Sequence, residues 1–538
     1  MTLETFFKKF DTFADAPDAV VKMRELVLDL AATGRLLPHQ TEWERRALKS
    51  LATKIGSGST PAGGRDSYFS EGIPLIRSMN VHFRGFDATG LVFLSDEQAK
   101  QLSNVIVQPD DVLLNITGAS IGRVTIAPSV MAGARVNQHV TIIRPRKELS
   151  PRFLSIFLAS PSVQRMIDEI QVGATRQALT KAMIEQFEIP LPPLAEQKRI
   201  VAKVDELMAL CDRLEAQQQE RQTRHADLAR ASLARFAAAP TPANLHFLFH
   251  PSYPIPPADL RKSILTLAVQ GKLVPQDSKD EPAEDFLSRL DLKSTVDLPD
   301  CAEEDNRLPP SWIRVRFEDI ALVSGGVTLG RKLGEKKTVT LPYLRVANVK
   351  RGEIDLTTIK EVSIGENEIE RYALCENDLL MTEGGDWDKV GRAAIWRSEI
   401  PVCLHQNHVF RARMRSIEIL PFWFERYFNS PIGRSYFESA SKQTTNLASI
   451  NMRQVRSCPI PFPPLAEQRR IVAKVGQLMA LVDALETQLA AFRATAKNLL
   501  EALVAELTSN CTVARANGAS HPSLGHRPRR PLDKATKG

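Results

Sequence analysis

The chain has 538 residues, 43% hydrophobic and 25% charged, with a formal net charge of +7 and an isoelectric point near 9.0. That length allows three or four domain-sized pieces, and the composition suits buried cores rather than a disordered or fibrous chain. The mildly basic balance admits a polyanionic partner without requiring one. Cys211, Cys301, Cys375, Cys403, Cys458 and Cys511 are scattered, with no Cys-x-x-Cys pair. This argues against a zinc site or a disulfide framework and for a reducing compartment, the cytoplasm. No secretory signal is expected, and no stretch of about 20 apolar residues suits a bilayer.

Residues 1–40 read as an N-terminal helical segment. Within it Met23–Pro38 (MRELVLDLAATGRLLP) spaces its apolar residues as a helix does, then stops at Gly34. Residues 41–190 hold short apolar runs punctuated by Gly and Pro, such as Val112–Ile116 and Val140–Ile143, which read as strands. With a helix expected over Pro151–Ile170, the region reads as an α+β domain. Residues 191–276 read as a central scaffold. Pro192-Pro193 can open a helix but not continue one. Ile200, Val204, Leu207, Cys211 and Leu214 then alternate by four and three, weaken at Gln218 and Arg221, and resume near Leu228. A second short helix follows, Leu260–Pro275 (LRKSILTLAVQGKLVP), with its stop at Gly271. Residues 277–304 read as an acidic linker, and 305–460 as a second α+β domain with a strand over Thr338–Val346 and a helix over Pro421–Ser439. Residues 461–509 predict another long helix, its seam running through Ile471, Val475, Leu478, Val482, Leu485, Leu489, Phe492, Ala496 and Leu499. Residues 510–538 are poor in apolar side chains and are expected to be disordered.

Two stretches are nearly the same text. Ile189–Glu215 (IPLPPLAEQKRIVAKVDELMALCDRLE) and Ile460–Glu486 (IPFPPLAEQRRIVAKVGQLMALVDALE) agree at 21 of 27 positions, at an offset of 271. Met23–Pro38 and Leu260–Pro275 repeat at an offset of 237. The two long regions between these repeats share only sparse landmarks. Trp43 answers Trp312, and Pro74-Leu-Ile-Arg77-Ser-Met-Asn80-Val81 answers Pro342-Tyr-Leu-Arg345-Val-Ala-Asn348-Val349. Asp111 answers Asp378, Gly122-Arg123 answers Gly391-Arg392, and Asn137-Gln138-His139 answers Gln406-Asn407-His408. A scaffold kept twice between diverged domains implies one partner met twice and two different targets.

These features resemble the specificity subunit of type I restriction–modification systems. The resemblance rests on the twofold I-P-x-P-P-L-x-E-Q-x-R-I motif before a long helix, the Gly58-Ser-Thr-Pro61 turn and the Thr117-Gly-Ala-Ser-Ile-Gly-Arg123 run. It covers nearly the whole chain except the linker and the tail. The second domain departs from it, with Gly325-Gly-Val-Thr328-Leu in place of G-S-T-P and Glu383-Gly-Gly-Asp-Trp387-Asp-Lys389 before Gly391. The resemblance implies two target recognition domains separated by long helices forming an antiparallel coiled coil, a pseudo-two-fold internal repeat. It implies an asymmetric bipartite DNA target with an unread spacer, and partners of three kinds: double-stranded DNA, two methyltransferase subunits, and restriction motor-nuclease subunits. It implies no cofactor in this chain, with S-adenosylmethionine, ATP and Mg belonging to the partners.

The residues agree with a non-catalytic role. No phosphate loop is present, since Gly271-Lys272 is followed by leucine. No N-P-P-[YF] or D-P-P-Y segment of amino-methyltransferases occurs. Pro109-Asp110 and Asp386-Trp-Asp388-Lys389 resemble fragments of a nuclease site but lie in different domains. His139 and His408 each stand beside a strand without a carboxylate cluster, which favours a structural or DNA-contacting role. Arg and Lys neutralise phosphates, while Arg, Asn, Gln and Thr pair with base edges in the major groove. The candidate DNA contacts in the first domain are Ser59, Thr60, Arg77, Asn80, Thr117, Arg123, Asn137, Gln138, Arg176 and Gln177. In the second they are Thr328, Arg331, Lys332, Arg345, Asn348, Arg392, Gln406, Asn407, Thr444 and Asn446. Two other readings stand against this one: a self-contained DNA methyltransferase or nuclease, and a coiled-coil adaptor with no DNA role.

Overall fold

The computed structural model describes residues 16, 18–38, 42–60, 67–171, 178–250, 253–292, 308–330, 333, 337–385, 389–443 and 448–509. The chain divides into two compact units, residues 1–220 with 491–538, and residues 221–490. The tail expected over 510–538 and residues 1–15 lie outside the described residues.

The first unit opens with α1 (Ala19–Ala32), which buries Met23, Leu26, Val27 and Leu30 along one stripe. It stops where Gly34 takes φ +79°, and a Cβ there would sit 3.1 Å from the Trp43 ring. The positive φ and the packed indole together require glycine. Strands β1 (Glu44–Ala47), β2 (Ala52–Ser57), β3 (Ile73–Ile76), β4 (Val92–Leu94), β5 (Val112–Asn115), β6 (Val124–Ile126), β7 (Arg135–Val136), β8 (Val140–Pro145) and β9 (Glu188–Leu191) build the domain. A four-stranded antiparallel sheet runs β2-β8-β5-β6. A three-stranded sheet runs β4-β3-β7, with β3 and β7 parallel. Strand β5 reads VLLN and is buried throughout. Successive side chains of a strand face opposite sides. Here Val112 and Leu114 join the helical core while Leu113 joins the core of the small sheet. The pair β1–β9 closes the domain.

The single helix expected over Pro151–Ile170 is two, α2 (Pro151–Ala159) and α3 (Pro161–Gln171). Ser160 is extended at ψ 145°, as a residue before proline prefers, and that breaks the helix. The long helix α4 (Leu194–Ala238) follows, 45 residues or about 67 Å. Its start is fixed by Gln197, which is fully buried. The Gln197 amide donates to Glu148 O and Pro192 O, both at 2.9 Å, and accepts from Ser150 N at 2.7 Å.

The second unit repeats this plan. Helix α5 (Pro257–Val269) ends at Gly271, φ +69°, against Pro309 and Trp312. The reading of 277–304 as a linker is corrected in part, because α6 (Ala283–Arg289) lies within it with Ala283, Phe286 and Leu287 buried. Its amphipathic pattern was masked by the acidic residues around it. Strands β10 (Ile313–Arg316), β11 (Ala321–Ser324), β12 (Thr338–Leu344), β13 (Lys360–Gly365), β14 (Leu379–Thr382), β15 (Ala393–Ile395), β16 (Leu404–His405), β17 (Val409–Met414) and β18 (Pro459–Phe462) give the same sheets. They run β11-β17-β14-β15 and β13-β12-β16, closed by β10–β18. The helix expected over Pro421–Ser439 is again split, into α7 (Pro421–Asn429) and α8 (Pro431–Ala440) at Ser430. The last long helix is α9 (Leu465–Ser509), also 45 residues.

Each unit takes the start of one long helix and the end of the other. The first core includes Ile200, Val204, Leu207 and Cys211 of α4 with Ala496, Leu500 and Leu507 of α9. The second includes Ala229 and Phe236 of α4 with Ile471, Val475, Leu478 and Val482 of α9. Such start-with-end membership is what antiparallel helices give. The expected seam fails in the middle: Phe492 is 56% exposed and Leu228 46%. A 3.5-residue repeat drifts around a straight 3.6-residue helix: Ala496 keeps the expected place, but the buried stripe then runs one position off, at Leu500 beside Leu499 and at Ala229 beside Leu228.

An arginine clamp recurs where each short helix meets its long one. Arg24 reaches Asp212 at 2.7 Å and Glu215 at 2.8 Å. Arg261 reaches Asp483 at 2.6 Å and Glu486 at 2.7 Å. The repeated text of the scaffold is therefore repeated contact.

Candidate nucleic-acid interface

In the first unit, loops from distant parts of the chain meet at one end of the four-stranded sheet. The segment after β2 joins the turn before β8 through Gly58 N to Asn137 O, 3.1 Å. The loop after β5 joins the same turn through Ile116 N to His139 O, 3.0 Å. The chain returning at Ala178 bridges Thr117, and Leu179 N donates to Ile116 O at 2.9 Å. The second unit is wired alike. Val327 N donates to His405 O at 2.7 Å and Glu383 N to His408 O at 3.0 Å. Gly384–Gly385 pairs with Ala448–Ser449, and Ile450 N donates to Glu383 O at 2.9 Å.

Side chains on this surface of the first unit form a chain. The Thr60 hydroxyl donates to the Gln138 amide oxygen. The Gln138 amide nitrogen meets His139 Nε2 at 3.2 Å, and His139 Nδ1 meets the Thr117 hydroxyl. Three loops are thereby locked together by candidate residues. Thr117, Arg123 and His139, with Ser78, Met79 and Gly118–Ser120, line an open cleft of about 390 Å³. Arg123 also borders a second cleft of about 530 Å³ formed with His82–Asp87. Met79 and Phe83 are exposed beside it. Ser59 is exposed on the same segment as Thr60.

The second unit puts different chemistry at matching places. His408 stands where His139 does, but its Nδ1 lies 2.5 Å from a Glu383 carboxylate oxygen instead of a threonine hydroxyl. Thr328 is exposed, and Gln406, Asn407 and Arg392 are partly buried around the same end of the sheet. Arg176, Gln177, Arg331, Lys332, Thr444 and Asn446 lie outside the described residues.

Some candidates face inward. Asn80 is fully buried: its amide oxygen accepts from Arg77 N at 3.0 Å, and its nitrogen donates to Asp87 O at 2.8 Å and Thr89 O at 3.3 Å. Asn348, also buried, repeats this with Arg345 N at 2.9 Å, Asp355 O at 2.8 Å and Thr358 O at 3.1 Å. Asn137 is buried and accepts from His139 N at 3.0 Å. The expectation that these three amides contact DNA is corrected: they staple turns, because a buried amide must spend its hydrogen bonds within the protein. Arg77 and Arg345 each donate to a backbone carbonyl, Gly90 O at 2.5 Å and Thr358 O at 3.1 Å. The turns they brace carry acids whose pKa values are lowered. Asp87 is held below the usual carboxylate range by the Thr89 backbone N–H, and Asp355 by the Thr357 hydroxyl and N–H.

The hairpin Val81–His82/Gly85–Phe86, with Arg84 reaching Glu215 at 3.3 Å, was not among the candidates. Its signal was available in the run Val81-His-Phe-Arg-Gly-Phe86, a glycine turn between aromatics. At the opposite end of each four-stranded sheet a buried carboxylate takes a partly exposed arginine: Asp111 with Arg144 at 2.7 Å, and Asp378 with Arg413 at 2.7 Å. Among the described residues no three His, Cys, Asp or Glu side chains gather to hold a metal. No helix among them is long and apolar enough to cross a membrane.

Residues 40–222 and 309–491 each match the family described as type I restriction modification DNA specificity domain. The EcoKI specificity subunit of Escherichia coli is 26% identical over 81% of this chain and 81% of its own length. The Escherichia coli EcoAI specificity subunit is 28% identical over 67% of this chain and 65% of its own length. Among solved structures, the HsdS subunit from Thermoanaerobacter tengcongensis has 18% identity and a TM-score of 0.45, covering 88% of this chain and 97% of that one. A chain from a study of complex assembly and conformational transition of the type I R-M system has 19% identity and a TM-score of 0.48, covering 87% and 99%. With two matches that together span more than half of its length, the chain belongs to the type I restriction modification DNA specificity family and carries that domain twice.

Proposed function

We propose that this chain is the non-catalytic DNA-reading subunit of a type I restriction–modification complex, each domain reading one half of an asymmetric, split site. The observation that carries the reading is the pairing of like scaffolds with unlike surfaces. The two domains share sheet order, closing strands and stapled turns, yet hold His139 against Thr117 and His408 against Glu383. One scaffold that presents two chemistries fits two half-sites of different sequence. Arg123, Gln138, Thr60 and Thr117 in the first domain, and Thr328, Arg392, Gln406 and Asn407 in the second, supply groups that bond base edges or phosphates.

Two methyltransferase subunits dock on the scaffold ends and motor-nuclease subunits complete the complex. S-adenosylmethionine, ATP and Mg are used by those partners, and the target adenine is flipped out for methylation. The complex works in the cytoplasm. The long helices set the unread gap between the half-sites.

The test is a domain exchange. Residues 41–190 are replaced by the matching domain of another family member, and methylated sites are mapped in cells carrying the complex. One half of the site changes and the other half and the gap stay. A change in both halves would overturn the assignment of one domain to one half.

A further inference from the structure

The same six residues, P-P-L-A-E-Q, meet different surroundings in the two copies. In the second copy the segment from Gln276 to Leu292 lies across them. Gln276 donates to Glu467 at 2.5 Å, and the Trp312 indole N–H donates to the other carboxylate oxygen at 2.8 Å. Arg470 grips Asp280 with two bonds, 3.0 and 2.6 Å. Phe286 stacks on Phe462 with ring centroids 6.1 Å apart, and Arg289 anchors the far end on Glu418 at 3.0 Å. Phe462, Pro463, Pro464 and Glu467 are all buried, Glu467 to 1% exposure.

Among the described residues the first copy has no chain segment of this kind. Only residues 35–42 separate the glycine stop from Trp43, where the second copy has 272–311 before Trp312. At the matching positions Leu191 is half-buried, Pro193 and Arg199 are exposed, Leu194 is 40% exposed, and Glu196 is half-buried. Arg199 has no carboxylate partner among the described residues. Glu148, the counterpart of Glu418, is also exposed. The face has nearly the same text, and its residues stay accessible where those of the second copy are covered.

We propose that the two scaffold ends are unequal docking sites: Leu191–Arg199 is an open face for a partner's acidic–aromatic segment, and the matching face on the second copy is already occupied in cis by Gln276–Leu292. The occupant is a segment of the methyltransferase subunit, so the inference rests on the functional reading above. Its chemistry is set by the cover already seen: a carboxylate for Arg199, an aromatic or aliphatic side chain for Leu191 and Leu194, and a donor for Glu196. The first methyltransferase subunit therefore binds the open face directly. A second must displace the cover or use a smaller area.

Titration of the full chain with the methyltransferase subunit, read by mass photometry and calorimetry, tests this. Two binding steps at least ten-fold apart are expected. Arg199→Glu, on an exposed side chain that folding does not need, weakens the tighter step at least ten-fold and leaves the other. Asp280→Asn with Arg289→Ala loosens the cover without touching its core and brings the second step closer to the first. A synthetic peptide of residues 276–292 competes with the tighter step. Two equal steps, or an Arg199→Glu chain with both steps unchanged, would overturn the proposal while leaving the DNA-reading role intact. No binding of the methyltransferase subunit at all would overturn that role as well.

Discussion

His405 makes the second unit's stability depend on pH in a way that can be worked out in advance. The ring is fully buried at the end of β16, beside the central strand β12. Its Nδ1–H donates to Val409 O at 2.7 Å, which leaves Nε2 facing the interior with no partner. A proton on Nε2 would find no acceptor. Burial, with Arg411 and Arg413 nearby and Asp378 opposing them, pushes the ring's pKa down to about 4 from 6.5. The unfolded chain therefore binds a proton between those values that the folded chain refuses. Stability is full above the unfolded pKa and falls as pH drops through the window. At about 1.36 kcal/mol for each pH unit of difference, the loss is about 2 kcal/mol by pH 5 and about 3 kcal/mol by pH 4. In the first unit Val136 holds the same register position, also fully buried, so valine fits this place in the fold. Denaturant unfolding of the wild type and of His405→Val, from pH 7.5 to pH 4, isolates the effect from other titrating groups. The wild type loses stability faster on acidification, by about the stated amounts. Parallel pH profiles for the two proteins would refute the reasoning.

Four further outcomes are expected. Asn348→Ala removes the staple of a buried turn and costs about 2–3 kcal/mol of the second unit's stability, measured by thermal unfolding, without altering which bases are read. Gly271→Ala forces a Cβ to 2.5 Å from Pro309 at φ +69° and destabilises by more than about 1 kcal/mol, by the same assay. Glu383→Gln changes the hydrogen-bonding state of His408 and alters the sequence read in one half-site only, by about 1–3 kcal/mol of discrimination in competition binding. Deleting seven residues from the exposed middle of both long helices removes about 10 Å of helix and shortens the unread gap by about three base pairs, as mapped by methylation sequencing.

Much of the architecture was legible because the scaffold repeats its own text. Identical segments predicted identical helices, and Pro192-Pro193 and Pro463-Pro464 placed their starts. The apolar runs at Val112 and Val140 became central strands because burial on both faces leaves continuous hydrophobic text. The middles of the helices were not legible. A heptad pattern tells which residues could be buried, and Phe492 and Leu228 show that a partner surface must also be there. The splits at Ser160 and Ser430 were signalled by Ser-Pro but overridden by the apolar periodicity around them. At the interface, the residue types at Thr60, Thr117, Arg123 and Gln138 pointed to one surface, which the fold assembles. Arg77-x-x-Asn80 and Arg345-x-x-Asn348 misled because an amide stapling a turn and an amide reading a base look the same in text. Only the depth of the side chain separates them.

The most direct test of the account is to map every methylated adenine in cells carrying the intact complex. Two unlike half-sites separated by a gap of fixed length and free sequence are expected. A continuous site, or two halves related by dyad symmetry, would contradict the claim that this chain presents two different reading surfaces to one duplex.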